Sequence, residues 1–251
     1  MRNQVVKLSL FLIASILLSG NAQAFDFTGW DALLKKYVKP VTLDGVKLNG
    51  VDYPALQKDP EYARTIRALE AFPPAALKSR EQKLAFWINT YNIMAVKMVL
   101  DHYPVNSIKD AGGLFSSVWK KDVGKVGGKT VTLNEIEHEI LRPMGDPRIH
   151  VAIVCASVSC PDLRPEAYTV EALDRQLDDQ MRLFLANPSK GLTVDGGDVA
   201  VSSIFKWFAE DFESRGGVPG FLTPYAPPSA RAALKSGDLD YLDYNWNLNK
   251  L

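Results

Sequence analysis

The sequence predicts an α+β fold: a single globular domain with a mixed β-sheet packed against several α-helices. Three observations predict it. Runs with helical spacing of apolar residues recur between short strand-like stretches, without regular βαβ alternation. No internal repeat or low-complexity linker divides the chain. Hydrophobic residues make up 47% of it, enough for a proper core.

The first segment is expected to lie outside that domain. Residues 1–24, MRNQVVKLSLFLIASILLSGNAQA, combine a basic start at Arg2 and Lys7 with an apolar run from Leu8 to Leu18. Ala22-Gln23-Ala24 adds small residues before Phe25. That is the pattern of a secretory signal peptide, and the run is too short for a stable membrane span. The expectation is an exported, periplasmic protein whose domain covers residues 25–251, with no membrane span after cleavage. Loss of Arg2 and Lys7 leaves a net charge of −2 from the balanced 29 bases and 29 acids. Such a surface carries no electrostatic footprint for nucleic acid.

The elements follow in order. Gly29 to Pro40 reads as a short amphipathic helix, and Val46 to Tyr53 as a strand around the hairpin-type dipeptide Asn49-Gly50. A helix from Asp59 to Phe72 is stopped by Pro73-Pro74. The strongest helix runs from Arg80 to Asp101, with Leu84, Trp87, Ile88, Tyr91, Ala95, Met98 and Val99 on one face. Asn89 and Asn92 lie together beside that face. His102 stands just past its end, where a capping donor is favoured. Lys129-Thr130-Val131 is strand-like, and Thr132 with Glu135 makes a capping box that starts a helix at Leu133, ending near Pro143. RIHVAIVCAS, residues 148–157, is an apolar run of buried-strand type. Thr169 to Ala186 is an amphipathic helix, and Leu192 to Val201 a hairpin across Asp195-Gly196-Gly197-Asp198. Ser202 or Ser203 caps a helix IFKWFAEDF, and LDYNWNLN either closes a cleft or finishes the sheet.

The chemistry centres on Cys155, one of two cysteines, and on three histidines. On a regular strand His150 and Cys155 face opposite sides, about 16 Å apart at 3.3 Å per residue. His150 is therefore read as a satisfied sheet histidine. With His102 a cap, His138 remains as the partner of Cys155. Glu137 falls inside the apolar arc of the His138 helix, so it needs a partner. Arg142, Arg164, Lys206 and a catalytic histidine are the candidates. Asn89 or Asn92 is a candidate oxyanion donor.

The chain resembles the domain of unknown function 547 family at FWINTYN (86–92), LNEIEHEILRP (133–143), DPRIHVAIVCASVSCPDLR (146–164), IFKWFAEDF (204–212) and LDYNWNLN (242–249). The resemblance implies the pairing of an Ile-Glu-His helix with a Cys-x-Ser-x-Ser-Cys-Pro-like turn, matched here by Glu137, His138, Cys155 and Ser159-Cys160-Pro161. It implies nothing about substrate.

Rival readings stay open. An exported protein with two cysteines usually bridges them, and Cys155 and Cys160 are close enough if the chain turns. Two cysteines and His138 would resemble a catalytic zinc site, but no second pair supports one. Gly112-Gly113 and Gly127-Gly128 lack the pattern of a phosphate loop, so neither metal nor cofactor is expected. Trp87, Trp207, Arg164 and Lys206 are candidate binding residues for a small molecule or peptide, although Trp87 and Tyr91 at helical spacing fit a core better. Two functions follow. One is a cysteine-dependent acyl transferase or amide/ester hydrolase using Cys155, His138 and Glu137, with Asn89 or Asn92 assisting. The other is a non-catalytic binding module stiffened by a Cys155–Cys160 bridge.

Overall fold

The computed structural model describes residues 24–112, 117–235 and 238–251, so the expected signal segment lies outside the described residues except for Ala24. The chain begins with helix α1 (Thr28–Tyr37) and runs directly into the hairpin of β1 (Val38–Leu43) and β2 (Val46–Val51). The turn is Asp44-Gly45, with φ of 50° and 78°. Two positive φ values match the right-handed twist of the flanking strands. The expected strand around Asn49-Gly50 is β2, where this hairpin-type dipeptide lies opposite Pro40 and Lys39. A hairpin dipeptide acts only where the strand must reverse, and Asp44-Gly45 already supplies the reversal.

Two short helices follow, α2 (Tyr53–Lys58) and α3 (Pro60–Ala71), each capped by an aspartate and opened by proline. They lead to α4 (Arg80–His102), whose start carries a full capping box between Ser79 and Gln82. The sequence predicts one apolar face on α4. The structure buries Leu84 to Val96 without interruption, including Asn89, Thr90 and Asn92. A helix surrounded on all sides needs no polar face, provided its polar side chains find partners. His102 completes the end as expected, with Nδ1 2.9 Å from the Met98 carbonyl.

Strands β3 (Asp122–Val126) and β4 (Lys129–Thr132) form a second hairpin. The Thr132–Glu135 capping box is present in both directions, at 2.8 and 3.0 Å. The helix it starts is wider than expected, a π-helix over Glu135–Leu141. Such a turn is rare and concentrates at functional sites.

The largest departure is at residues 148–157. The apolar run forms a helical turn, α5 (Ile149–Ala152), followed by extended chain at Ile153. The turn is seeded by Asp146, whose carbonyl accepts from Ile149 N–H while its carboxylate pairs with Arg148. A run buried all round looks the same whether helical or extended. The strand geometry that set His150 aside therefore does not apply.

Helix α6 (Leu173–Leu185) begins four residues later than the predicted Thr169. Its successor hairpin joins β5 (Leu192–Asp195) to β6 (Asp198–Ser202) across Gly196-Gly197, as expected. Ser202 caps α7 (Ser203–Trp207), and the expected IFKWFAEDF helix breaks into a 3-10 turn over Ala209–Arg215. A last strand, β7 (Asp240–Leu242), pairs parallel to β6. The expected mixed sheet is thus this three-stranded one, with the other strands in two separate hairpins. Among the described residues, no helix is long and apolar enough to cross a membrane.

Candidate functional site

A pocket of about 170 Å³ opens where the π-helix, the loop 153–160, α7 and the segment after β7 converge. The loop owes its shape to backbone rather than sheet. Asn92 of α4 takes both ends of a short stretch, donating to Ala152 C=O at 3.0 Å and accepting from Val154 N–H at 2.9 Å. Ala156 then adopts a left-handed φ of 59°, uncommon for a residue with a Cβ. The reversal is held by the segment 245–249: Val158 N–H donates to Asn247 C=O, Ser159 N–H to Asn245 C=O and Asn249 N–H to Ala156 C=O.

Inside this frame the two thiols meet. Cys155 and Cys160 are both free, with sulfurs 2.9 Å apart, so the bridge of the rival reading is not formed. Cys155 N–H also donates to the Cys160 sulfur at 2.9 Å. The Cys155 sulfur lies 3.1 Å from the Tyr244 hydroxyl and 3.2 Å from the Ser157 hydroxyl. Burial pushes the Cys155 thiol up, but the hydrogen bonds from Cys160, Ser157 and Tyr244 outweigh it and bring it down to about 7. Cys160 moves the opposite way, because burial and its bond to Cys155 both favour the protonated thiol. One sulfur is partly exposed and easier to ionise, and the other is buried and held protonated.

Glu137 lines the same pocket and is buried, as its place in the apolar arc requires. Its partner is none of the expected cations or imidazoles. The Tyr91 hydroxyl donates to Oε2 at 3.2 Å. Burial is the main cause that raises the Glu137 carboxyl to about 7; the Tyr91 bond opposes the rise, and nearby Cys155 adds to it.

His138 lies at the exposed rim. Its Nδ1 is 2.8 Å from Arg142 Nη1, a cation that can only donate, so the ring nitrogen accepts. Burial of one side, Arg142 and His150 lower its pKa, keeping the ring neutral near pH 7. Arg142 itself is held by Asp211 at 2.8 Å and by Glu210. His150 reaches the pocket after all. Its Nε2 is 2.7 Å from Asp211 Oδ2, and its ring stacks on Phe208 at 4.1 Å. Burial lowers its pKa against the pull of Asp211.

The mouth is aromatic. Trp207, 48% exposed, stacks on Trp246 at 5.8 Å and packs on Tyr244 at 4.8 Å. Trp119 meets Trp246 edge-on at 5.6 Å, and Lys109 Nζ sits 3.6 Å from the Trp246 ring centroid. The segment LDYNWNLN therefore does both things expected of it: it ends in the sheet through β7 and closes the cleft through Tyr244 and Trp246.

The structure brings together Cys155, His138, Glu137 and Trp207 and leaves the other candidates elsewhere. Asn89 donates to Tyr168 C=O at 2.7 Å and accepts from Tyr168 N–H at 3.0 Å. Its amide, like that of Asn92, pairs with backbone, and neither residue lines the pocket. Trp87 is buried against Phe86. Arg164 pairs with Glu166 and Asp179, and Lys206 lies over the Tyr241 ring. Tyr244, Ser157 and Asp211 are site residues that sequence reasoning missed, and Tyr91, weighed there as a core or groove aromatic, enters as the partner of Glu137. Ser157 alone had a local signal, two residues from Cys155. Among the described residues, no group of three or more His, Cys, Asp or Glu side chains is arranged to hold a metal ion.

Residues 74–185 match the model of a family described as "Protein of unknown function, DUF547". That span contains Glu137, His138, Cys155 and Cys160 but ends before Trp207, Tyr244 and Trp246. No curated protein and no solved structure matches the chain.

Proposed function

Starting from a chain that belongs to the DUF547 family through residues 74–185, we propose that the protein is a cysteine-dependent acyl transferase or hydrolase acting on esters or amides. One observation carries the reading: a partly exposed sulfur on a pocket wall, with three side-chain groups, Ser157, Cys160 and Tyr244, within hydrogen-bond distance of it. The thiolate is the nucleophilic form, and a thiol near 7 is substantially ionised at neutral pH. It needs no base to activate it. Cys155 attacks the carbonyl carbon, a C–S bond forms, and the tetrahedral intermediate collapses with loss of the alcohol or amine. Glu137, whose carboxyl keeps its proton up to about pH 7, supplies that proton to the leaving group. His138, neutral at the rim, takes a proton from the incoming water or alcohol that cleaves the thioester. In this scheme Arg142, not Glu137, orients the imidazole.

The test uses a nitrophenyl acetate. The protein should release a burst of about one equivalent of nitrophenol per chain and then turn over slowly. Cys155→Ala should abolish the burst and reduce turnover by on the order of a thousandfold. Unchanged turnover in Cys155→Ala would remove Cys155 from the chemistry. The aromatic mouth then favours the second reading, a binding module in which Trp207, Tyr244 and Trp246 hold an apolar ligand.

Export is part of the proposal, supported by the A-x-A site before Phe25. The secreted chain should start at Phe25, as intact mass will reveal. A chain that retains residues 1–24 in a membrane fraction contradicts it.

A further inference from the structure

Acyl transfer uses the second thiol only as a neighbour that helps lower the pKa of Cys155. A hydrolase needs one nucleophilic sulfur, yet the loop 153–160 brings two within 2.9 Å and places both on the pocket wall. The left-handed turn at Ala156 is what lets them meet, since an extended chain would carry Cys160 far from Cys155. The two sulfurs are also dissimilar. Cys155 is the more exposed, while Cys160 is buried and accepts from Cys155 N–H.

We propose that Cys155 and Cys160 are an attacking and a resolving thiol, and that the pocket reduces small organic disulfides by thiol–disulfide exchange. The inference shares the nucleophilic Cys155 with the acyl reading but requires no acyl chemistry. In the first step the Cys155 thiolate forms a bond to one sulfur of the substrate disulfide. The substrate S–S bond breaks and one thiolate leaves. In the second step Cys160 attacks the Cys155 sulfur, its proton passing to the departing second thiolate. The mixed disulfide breaks and a Cys155–Cys160 bond forms. The substrate gains two electrons and the protein dithiol loses them, with one thiol and one thiolate released.

The division of labour follows from chemistry. The best attacking thiol has a pKa near the ambient pH, which balances thiolate fraction against nucleophilicity. The environment of Cys155 meets that condition, with its pKa lowered to about 7. A resolving thiol is best kept protonated and out of reach until the mixed disulfide forms, and buried Cys160 is held that way. The apolar walls of Ile153, Ile204 and Phe208 and the stacked Trp207–Trp246 pair suit an aromatic or aliphatic disulfide.

Dithiobis(nitrobenzoate), a chromogenic aromatic disulfide, provides the test on the reduced full domain. The protein should release about two equivalents of nitrothiobenzoate, the second at a rate independent of reagent concentration. Its mass should then be lower by two hydrogens, with no adduct attached. Cys160→Ser should release about one equivalent and keep a stable mixed disulfide on Cys155. Cys155→Ser, which leaves the buried thiol alone, should react at least tenfold more slowly than the parent protein. Two stable adducts on the parent protein, or equal reactivity of both single variants, overturns the exchange pair. The nitrophenyl acetate burst is a separate readout, so either chemistry can fail without the other.

Discussion

Glu137→Gln should be more stable than the parent protein by about 3 kcal/mol at pH 8 and nearly equal to it at pH 4. The buried carboxyl titrates at about 7 against an ordinary 4.5, chiefly because burial penalises its charge. In the unfolded chain the group ionises near 4.5, so between these values the folded state binds more protons. Stability therefore falls as pH rises through that window, and the whole cost is present above about 7. At about 1.4 kcal/mol for each pH unit, the total is roughly 3 kcal/mol. Glutamine keeps an acceptor for the Tyr91 hydroxyl, which now bonds Glu137 Oε2, but never ionises. Denaturant unfolding of both proteins at the two pH values measures the difference. Equal stabilities at pH 8 would mean that Glu137 is ionised in the fold at no cost. The same variant should slow the acyl reaction, because an amide cannot supply the leaving group with a proton. Gain of stability with loss of activity is the pattern expected where a strained group is kept for chemistry.

Asn92→Ala should cost about 3–5 kcal/mol, near the top of the range for a single substitution. The side chain makes two buried bonds, to Ala152 C=O and Val154 N–H. Alanine leaves both backbone groups without a partner, at about 1–3 kcal/mol each, and opens a small cavity. At about 2–4 °C per kcal/mol for a domain of this size, the melting temperature should drop by on the order of 10 °C. Asn92→Asp should cost at least as much, since its carboxylate accepts from Val154 N–H but faces the Ala152 carbonyl and buries an unpaired charge. A loss below about 1 kcal/mol in Asn92→Ala would show that the loop repairs itself by another route. The loss reaches the site as well, because Cys155 follows Val154 directly and its position depends on this clamp.

What could be read from residues alone was local. Capping at Thr132 and Ser202, the proline stop after α3 and the Gly196-Gly197 turn all act over three or four positions, and all are present. Glu137 was recognisable because a carboxylate in an apolar arc is costly wherever it occurs. Errors arose where burial removed the pattern. Residues 149–154 are buried on every side, so their apolar run carried no period to separate helix from strand. Asn89 and Asn92 looked like donors for a substrate because their backbone partners lie 60 to 79 residues away. The same reason hid Tyr244 from Cys155, and Asp211 from His150, 61 positions apart.

The dependence of the loop on the segment 244–249 also gives the site a timetable. Cys155 is synthesised 89 residues before the Tyr244 hydroxyl that helps hold its charge. Chains fold from their first-made parts onward, and contacts between distant positions form late. Until residues 245–249 bind the backbone of Ala156, Val158 and Ser159, the loop has no outer wall and the pocket no aromatic mouth. Under the proposed thiol chemistry, a half-made chain would therefore carry a less acidic Cys155, because Tyr244 is among the groups that lower its pKa. Full reactivity would then arrive only with the last strand and its tail, and a chain that stalls or is clipped in this region would expose a duller sulfur.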